Sequence, residues 1–459
     1  PCLMAKNTQS HCQQCGSVTP KWAGRCAACS AWNSIVEEQI SSRPGLAKSA
    51  KSGRKIEFST LEQESSKQGL VRMLSGISEF DRVTGGGIVP GSVLLIGGDP
   101  GIGKSTLLLQ LACKLSHNKT QTVYITGEES ADQVRLRGQR LGLKDSQIGI
   151  ATATNASDIA ETIRRSPELE LLIIDSIQTM YLPALDSSPG TVSQVRASAQ
   201  ELIQAAKAND TALIFVGHVT KDGAIAGPRV LEHMVDSVLH FEGDRSHHFR
   251  ILRGIKNRFG ATDEIGVFEM TAAGLQQISN PSELFLAERT HEVAGTAVFA
   301  GIEGSRPLLV EIEALVAPSS LASPRRNVVG WESSRLAMLT AVLEARCGLP
   351  LSGRDIFLNV AGGMKIQEPA ADLAVAAALI SSVTTRPLPS RSVFFGEVAL
   401  SAEIRQVSQA EQRLKEAEKL GFERAYLPKP RKRTNVKLGL ELSYAENLSE
   451  LIDILGGIS

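Results

Sequence analysis

The sequence carries no excess of either charge: 49 Lys and Arg stand against 49 Asp and Glu, for a formal net charge of zero at pH 7. That balance excludes a global positive field drawing the chain onto nucleic acid or an anionic membrane, so any such contact has to come from a local patch or from assembly. Long apolar runs are missing too. Nothing approaches the ~18 consecutive apolar residues of a membrane span, and no apolar core precedes a small-residue cleavage site near the N-terminus. A cytoplasmic protein without a membrane partner is the expectation. There is no internal repeat. Cysteine is sparse, seven in 459 residues, and four of the seven crowd into two close pairs near the N-terminus. Cys113 and Cys347 stand alone in apolar surroundings and read as core residues. Cys2 precedes Met4, whose Met4-Ala5-Lys6 reads as the natural start, so residues 1–3 are set aside as a cloning remnant.

What is present is the composition of a folded protein. Hydrophobic residues make up 42% and charged residues 21%, which excludes wholesale disorder and a collagen-like fibre. At ~150 residues per domain the length suggests about three domains. Residues 1–40 are compact and rich in Cys, Trp and Gly, whereas in 41–69 Ser, Lys, Gln and Glu dominate and no period persists, as in a linker. Over 70–280, apolar runs at Ser92 to Gly97, Thr122 to Thr126, Glu170 to Asp175, Thr211 to Gly217 and Ser237 to Glu242 read as buried strands. Helical stretches lie between them at Ser105 to Ser116, Ser130 to Leu141, Ala156 to Arg165 and Thr191 to Ala208. Such alternation predicts an α/β fold with a parallel sheet covered on both faces. Over 281–459 the pattern restarts: strands at Thr296 to Ile302, Pro307 to Val316, Val393 to Val398 and Arg424 to Leu427, with helices at Ser333 to Arg346, Pro369 to Ser381 and Gln409 to Leu420.

Two constellations carry chemistry on their own. Cys12 and Cys15, then Cys26 and Cys29, form a doubled Cys-x-x-Cys whose pairs can each grip one side of a tetrahedral ion. Four thiolates suit Zn²⁺ in a closed structural site, with an iron–sulfur centre the weaker alternative. A module of this size has too little core of its own, and metal binding of roughly 10–16 kcal/mol would supply its folding energy. The second is Gly98-Asp99-Pro100-Gly101-Ile102-Gly103-Lys104-Ser105-Thr106, between a strand and an apolar helix. Its glycines let the loop curl so that backbone N–H groups and the helix N-terminus face phosphates, which predicts a nucleoside triphosphate site for ATP. Lys104 is expected at the β and γ phosphates and the Ser105 hydroxyl on Mg²⁺. Asp175 closes its strand where a further carboxylate for Mg²⁺ would stand. Glu128 and Glu129 follow another strand on the same edge, either able to polarise an attacking water. His218 ends a third strand, where it reads as a γ-phosphate sensor or as a structural histidine.

These residues, with Lys21-Trp22, Trp32, Gly127-Glu128-Glu129-Ser130, Gly217-His218-Val219-Thr220-Lys221-Asp222-Gly223 and Lys256-Asn257-Arg258-Phe259-Gly260, together resemble the RadA (Sms) family of bacterial DNA repair proteins over essentially the whole chain. The resemblance implies a RecA-like P-loop ATPase core between an N-terminal four-cysteine zinc ribbon and a C-terminal α+β domain of Lon-protease type. It implies an ATP-driven, helicase-type motor acting in branch migration at recombination intermediates. Expected partners are single-stranded and branched DNA, a RecA-type recombinase, and further copies of the chain in a ring, with six subunits the expected number. It assigns the catalytic glutamate to Glu128 ahead of Glu129, and DNA contact to the segment from Lys221 to Arg229. It also sends Lys256 and Arg258, expected beyond the last core strand, into a neighbouring subunit's nucleotide; alone they read as a solvated face.

The Lon-type resemblance rests on Gly362-Gly363-Met364-Lys365, Pro369-Ala370-Ala371-Asp372 and Gly396-Glu397-Val398. Lon enzymes use a Ser–Lys dyad; aligned on this resemblance, Ala370 takes the serine position and the lysine position falls near Glu411. Methyl removes the nucleophile and carboxylate removes the base, so a catalytically inactive scaffold is expected rather than a protease. The basic run Arg431, Lys432, Arg433 reads either as a phosphate-contacting surface or as a solvated charge run. Two further functions are weighed against the motor: a nucleotide-switched DNA-binding module that assists a recombinase without unwinding, and, least favoured, an ATP-dependent protease.

Overall fold

The computed structural model describes residues 8–12, 18–19, 22–27, 32, 35–39, 71–143, 146–219, 225–226, 229–243, 249–262, 264–286, 293–321, 323–430 and 439–456. The chain divides into two compact units, Pro1–Ile278 and Ser279–Ser459. The linker read at 41–69 lies outside the described residues.

At the start of the first unit, β1 (Thr8–Cys12), β2 (Val18–Thr19) and β3 (Ile35–Gln39) form an antiparallel sheet with β1 central. Cys12 faces Ile35 across β1 and β3, and Cys12, Cys26 and Ile35 form one small buried cluster. After α1 (Ser78–Val83) comes an alternation: β4 (Val93–Gly98), α2 (Lys104–His117), β5 (Thr122–Thr126), α3 (Ala131–Arg140), β6 (Gly149–Thr152), α4 (Ala156–Arg165), β7 (Leu171–Asp175), α5 (Val192–Ala208) and β8 (Ala212–Val216). A small ribbon, β9 (His218–Val219) with β10 (Ile225–Ala226), and α6 (Arg229–Met234) precede β11 (Ser237–Glu242), β12 (Phe249–Asn257), β13 (Ile265–Thr271) and β14 (Gly274–Gln277).

The main sheet has nine strands in the order β14-β13-β12-β11-β4-β8-β7-β5-β6. All of β4, β7 and β8 is buried, as strands covered on both faces must be. Successive residues of β4 serve opposite sides: Leu94 and Ile96 join Leu107, Leu108, Leu111 and Leu115 of α2, while Val93 and Leu95 join Ile159, Ile163, Val195 and Leu202 of α4 and α5. On α4 the buried residues Ala156, Ile159, Ala160 and Ile163 fall on one stripe of a 3.6-residue helix. Its N-cap Asn155 accepts from the Ser157 N–H, and α3 opens on a reciprocal Ser130–Gln133 capping box.

The sheet is not wholly parallel as the alternation predicts. From β11 to β6 the strands run parallel, but β12, β13 and β14 extend it as antiparallel hairpins beyond β11. Their loops are too short for a crossover helix, which parallel pairing requires. Lys256 therefore lies inside a sheet strand rather than past the last one.

The second unit opens with α7 (Ser282–Phe285), β15 (Thr296–Glu303), β16 (Arg306–Pro318), β17 (Arg326–Val329), α8 (Ser333–Cys347), β18 (Arg354–Val360) and α9 (Asp372–Thr384). It continues through β19 (Ser392–Phe394), β20 (Glu397–Val398), β21 (Ile404–Arg405), α10 (Ala410–Lys419), β22 (Arg424–Pro428), β23 (Glu441–Ala445) and α11 (Leu448–Ile454). Seven strands form one sheet, β17-β18-β16-β15-β19-β22-β23. Helix α9 is buried from Asp372 through Ser381, matching its apolar, alanine-rich sequence. The strand expected over Val393 to Val398 is divided: the Gly396 N–H donates to Ala370 O (2.8 Å) instead of continuing the sheet, and β20 pairs with β21 in a separate ribbon. Cys113 is a core residue as expected, but Cys347 is only partly buried, since it ends α8 beside Ser449. No helix among the described residues is long and apolar enough to cross a membrane.

Candidate active site

The phosphate loop grows from the C-terminal end of β4. Gly98 closes the strand with φ 151°, Asp99 to Gly103 make the turn, and Lys104 begins α2. A Cβ on Gly98 would stand 2.5 Å from Phe241 O, so only glycine lets the chain leave the sheet at this point. Lys104 is 4% exposed, and its Nζ donates to Gly98 O (2.7 Å) and Asp99 O (2.9 Å), which folds the ammonium back over the loop. Burial pushes its pKa below the ordinary lysine value, while Asp175, Asp99 and Glu128 pull it back up. A buried ammonium facing three carboxylates suits a polyphosphate, whose own charge would complete the neutralisation.

Asp175 sits at the same edge because β7 and β5 run in parallel register, with Thr126 opposite Asp175. Its Oδ2 accepts a short hydrogen bond from the Tyr124 hydroxyl. Burial first, and then the Asp175 charge, raise the Tyr124 pKa well above the usual phenol, and the Ser105 side chain also hydrogen-bonds the hydroxyl. Ser105, Tyr124 and Asp175 thus meet at one point. An oxygen-only donor pair, the Ser105 hydroxyl and the Asp175 carboxylate, matches what a hard divalent cation takes.

The two neighbouring glutamates separate in space. Thr126 Oγ1 accepts from both their backbone N–H groups, at 3.3 Å for Glu128 and 3.0 Å for Glu129, which turns the chain sharply. Glu128 then points back into the site, where it accepts from the Ser176 hydroxyl and acts on Lys104. Glu129 is committed to an ion pair with Arg137 on α3. Tyr124 and Arg137 are site residues that the sequence reading missed. Tyr124 lay in view two residues before the strand end, on the same face as Thr126.

Lys256 and Arg258 lie at the other edge of the sheet. Lys256 is opposite Val238, which pairs with Leu95, and Asn257 is opposite Ser237, which pairs with Leu94. Gly98 is thus three to four residues further along β4, about 10–13 Å at ~3.3 Å per residue. Both side chains also point away from it. Lys256 Nζ donates to Glu232 O (2.6 Å) and Val235 O (2.8 Å), and Arg258 Nη1 to Asp236 Oδ1 (3.1 Å). Burial, then Arg258, lower the Lys256 pKa. The rest of the motif holds the turn: Asn257 Oδ1 accepts from the Phe259 N–H (3.0 Å) and the Ser237 hydroxyl (3.0 Å), and Arg72 Nη2 donates to Phe259 O (2.6 Å). A Cβ on Gly260 would come within 2.9 Å of Gly85 Cα.

His218 is in β9, opposite Ala226 of β10, and Arg229 begins α6. Lys221, Cys15, Cys29, Arg431, Lys432 and Arg433 lie outside the described residues. Of the four predicted metal ligands, Cys12 and Cys26 are 0% and 1% exposed in one cluster, a placement that fits a thiolate-bound ion. Changing both Cys26 and Cys29 to Ser is expected to release one equivalent of zinc and unfold residues 1–40, with the ATPase core melting as in the parent. Metal analysis of the parent that finds iron, or no metal, would rule zinc out.

In the second unit Ala370 is 1% exposed, and Glu411 pairs with Lys415 on the solvent side of α10 (2.5 Å). Two ion pairs, each with one buried partner, flank Ala370 in sequence. Glu368 takes Arg413, which is 1% exposed and also donates to Ala300 O (2.8 Å). Asp372 takes Arg335 through two bonds of 2.5 and 2.6 Å, and its Oδ2 also accepts the Val398 N–H (2.9 Å). Burial raises the Asp372 pKa and Arg335 opposes it. The carboxylates on either side of Ala370 are therefore each committed to an arginine.

Family models agree with these three parts. The "Rubredoxin metal binding domain" matches residues 11–37, the "AAA domain" 73–224 and "Subunit ChlI of Mg-chelatase" 331–431. The fold and the site define a RecA-like P-loop ATPase joined to an N-terminal zinc ribbon and a C-terminal Lon-like domain. The chain is 57% identical to DNA repair protein RadA of Brucella abortus over 93% of its own length and 92% of the relative's. It is 48% identical to the RadA proteins of Pseudomonas aeruginosa, over 98% and 100% of the two lengths, and of Bacillus subtilis, over 91% of each. It belongs to the RadA family of DNA repair proteins.

Proposed function

We propose that the chain is a DNA-dependent ATPase motor that assembles into a ring, most simply of six subunits, and moves along single-stranded and branched DNA at recombination intermediates. The observation that carries this reading is the placement of Lys256 and Arg258 at the sheet edge opposite their own phosphate loop, which makes them useful to a nucleotide only across an interface. Lys104 and the loop N–H groups bind and orient the triphosphate. Ser105 and Asp175 would hold Mg²⁺, which when bound offsets phosphate charge. Glu128, aimed by the Ser176 hydroxyl, takes the proton of the attacking water. His218 would follow the γ-phosphate. Lys221, Arg229 and the run at Arg431 to Arg433 would supply the DNA contacts, and a RecA-type recombinase is the natural partner at such intermediates. The Lon-like domain, without nucleophile or base, serves as scaffold. Strand displacement on a forked duplex tests the reading: ATP should release the strand, and a non-hydrolysable analogue should leave it bound. DNA binding without any release would favour a nucleotide-switched loading module instead.

A further inference from the structure

Both cations of the Lys256–Arg258 motif are seated on one short stretch of chain. Lys256 lies on the carbonyls of Glu232 and Val235, at the end of α6, where the helix dipole favours a positive charge. The next residue, Asp236, receives Arg258 twice, at Oδ1 by Nη1 (3.1 Å) and at its carbonyl by the Arg258 N–H (3.1 Å). Asp236 is 5% exposed and firmly held: its Oδ2 accepts the Val93 N–H (3.0 Å) and its own N–H donates to Val93 O (2.9 Å). Lys207 Nζ, on α5, stands 3.7 Å from Oδ2.

Tying β11 to the start of β4 needs only one carboxylate oxygen. The second is spent on the side chain of Arg258, which is 54% exposed and without this contact would sample many rotamers. A guanidinium aimed in advance loses less freedom when it meets a phosphate, and its planar fork arrives in a set orientation. We propose that Asp236 is a positioning residue for Arg258, fixing the direction in which this cation is presented to the nucleotide of an adjoining subunit. The proposal rests on the reading that Arg258 acts across an interface. It makes Asp236 serve the neighbour's nucleotide, although its backbone is anchored to the strand that carries its own phosphate loop.

The test uses the full-length chain with Asp236→Asn, which keeps an acceptor for the Val93 N–H and removes the charge facing Arg258. Turnover of ATP on single-stranded DNA should fall roughly 10–100-fold, as for loss of a hydrogen bond to a charged group, with KM for ATP near the parent's. Adding Asp236→Asn to Arg258→Ala should cost no further turnover if the carboxylate works through the guanidinium. Asp236→Ser gives the same comparison if the amide is not accommodated. Mixing with Lys104→Ala subunits then separates the roles. An Asp236→Asn subunit retains its phosphate loop and would meet an intact Arg258 from a Lys104→Ala neighbour, so activity should partly return. Arg258→Ala mixed with Lys104→Ala is the reference. Recovery in the reference alone means that Asp236 only supports its own strand, which overturns the proposal and leaves trans action standing. Recovery in neither mixture removes trans action and the proposal with it.

Discussion

Lys104→Ala should leave a folded, assembling chain that turns over ATP at least ~10³-fold more slowly, the upper end of the loss for one preorganised donor. The fold should survive because position 104 opens α2, where alanine is the best helix former, and because the hydrogen bonds lost go to two carbonyls of the loop itself and not to the core. What disappears is the buried ammonium that faces Asp175, Asp99 and Glu128 and would oppose the charge developing on the transferred phosphoryl group. Phosphate release on single-stranded DNA measures it. Turnover within tenfold of the parent would show that the triphosphate binds elsewhere.

Arg258→Ala should bind ATP as the parent does and hydrolyse it ~10³–10⁵-fold more slowly, the range for a guanidinium delivered across an interface. Loss of affinity is not expected, since the side chain points away from its own loop, toward Asp236. Arg258→Lys should recover little, because a point charge cannot reproduce the planar fork. Nucleotide binding followed by a fluorescent ATP analogue, beside steady-state turnover, separates the two effects. A variant that loses binding and turnover in proportion would place Arg258 in its own subunit's site.

Much of the site is legible in the order of residues because its chemistry is contiguous. The loop from Gly98 to Ser105 works through consecutive backbone N–H groups, and its glycines and lysine carry that requirement in their order. The five central strands β4, β5, β7, β8 and β11 are also readable to within a residue or two, since doubly covered strands are unbroken apolar runs, whereas β6 and the hairpin strands β12 to β14 are not. The choice between Glu128 and Glu129 is not legible. Adjacent carboxylates look alike until one is seen beside Ser176 and the other on Arg137, eight residues away along α3. Nor could spacing reveal that Glu368 would find Arg413, 45 residues on.

By itself, then, the order of residues determined the central strands of the first unit, the phosphate loop and the two thiolate pairs, because each is carried by one short stretch of chain. Tertiary structure alone decided which way the Lys256–Arg258 motif faces. That direction depends on the antiparallel return of β12 against β11 and on the parallel register of β11 with β4, the latter a pairing of residues more than 140 positions apart. It also gave Asp236 its place under Arg258, since a side chain's partner across a sheet is set by register, and register is a property of the assembled core.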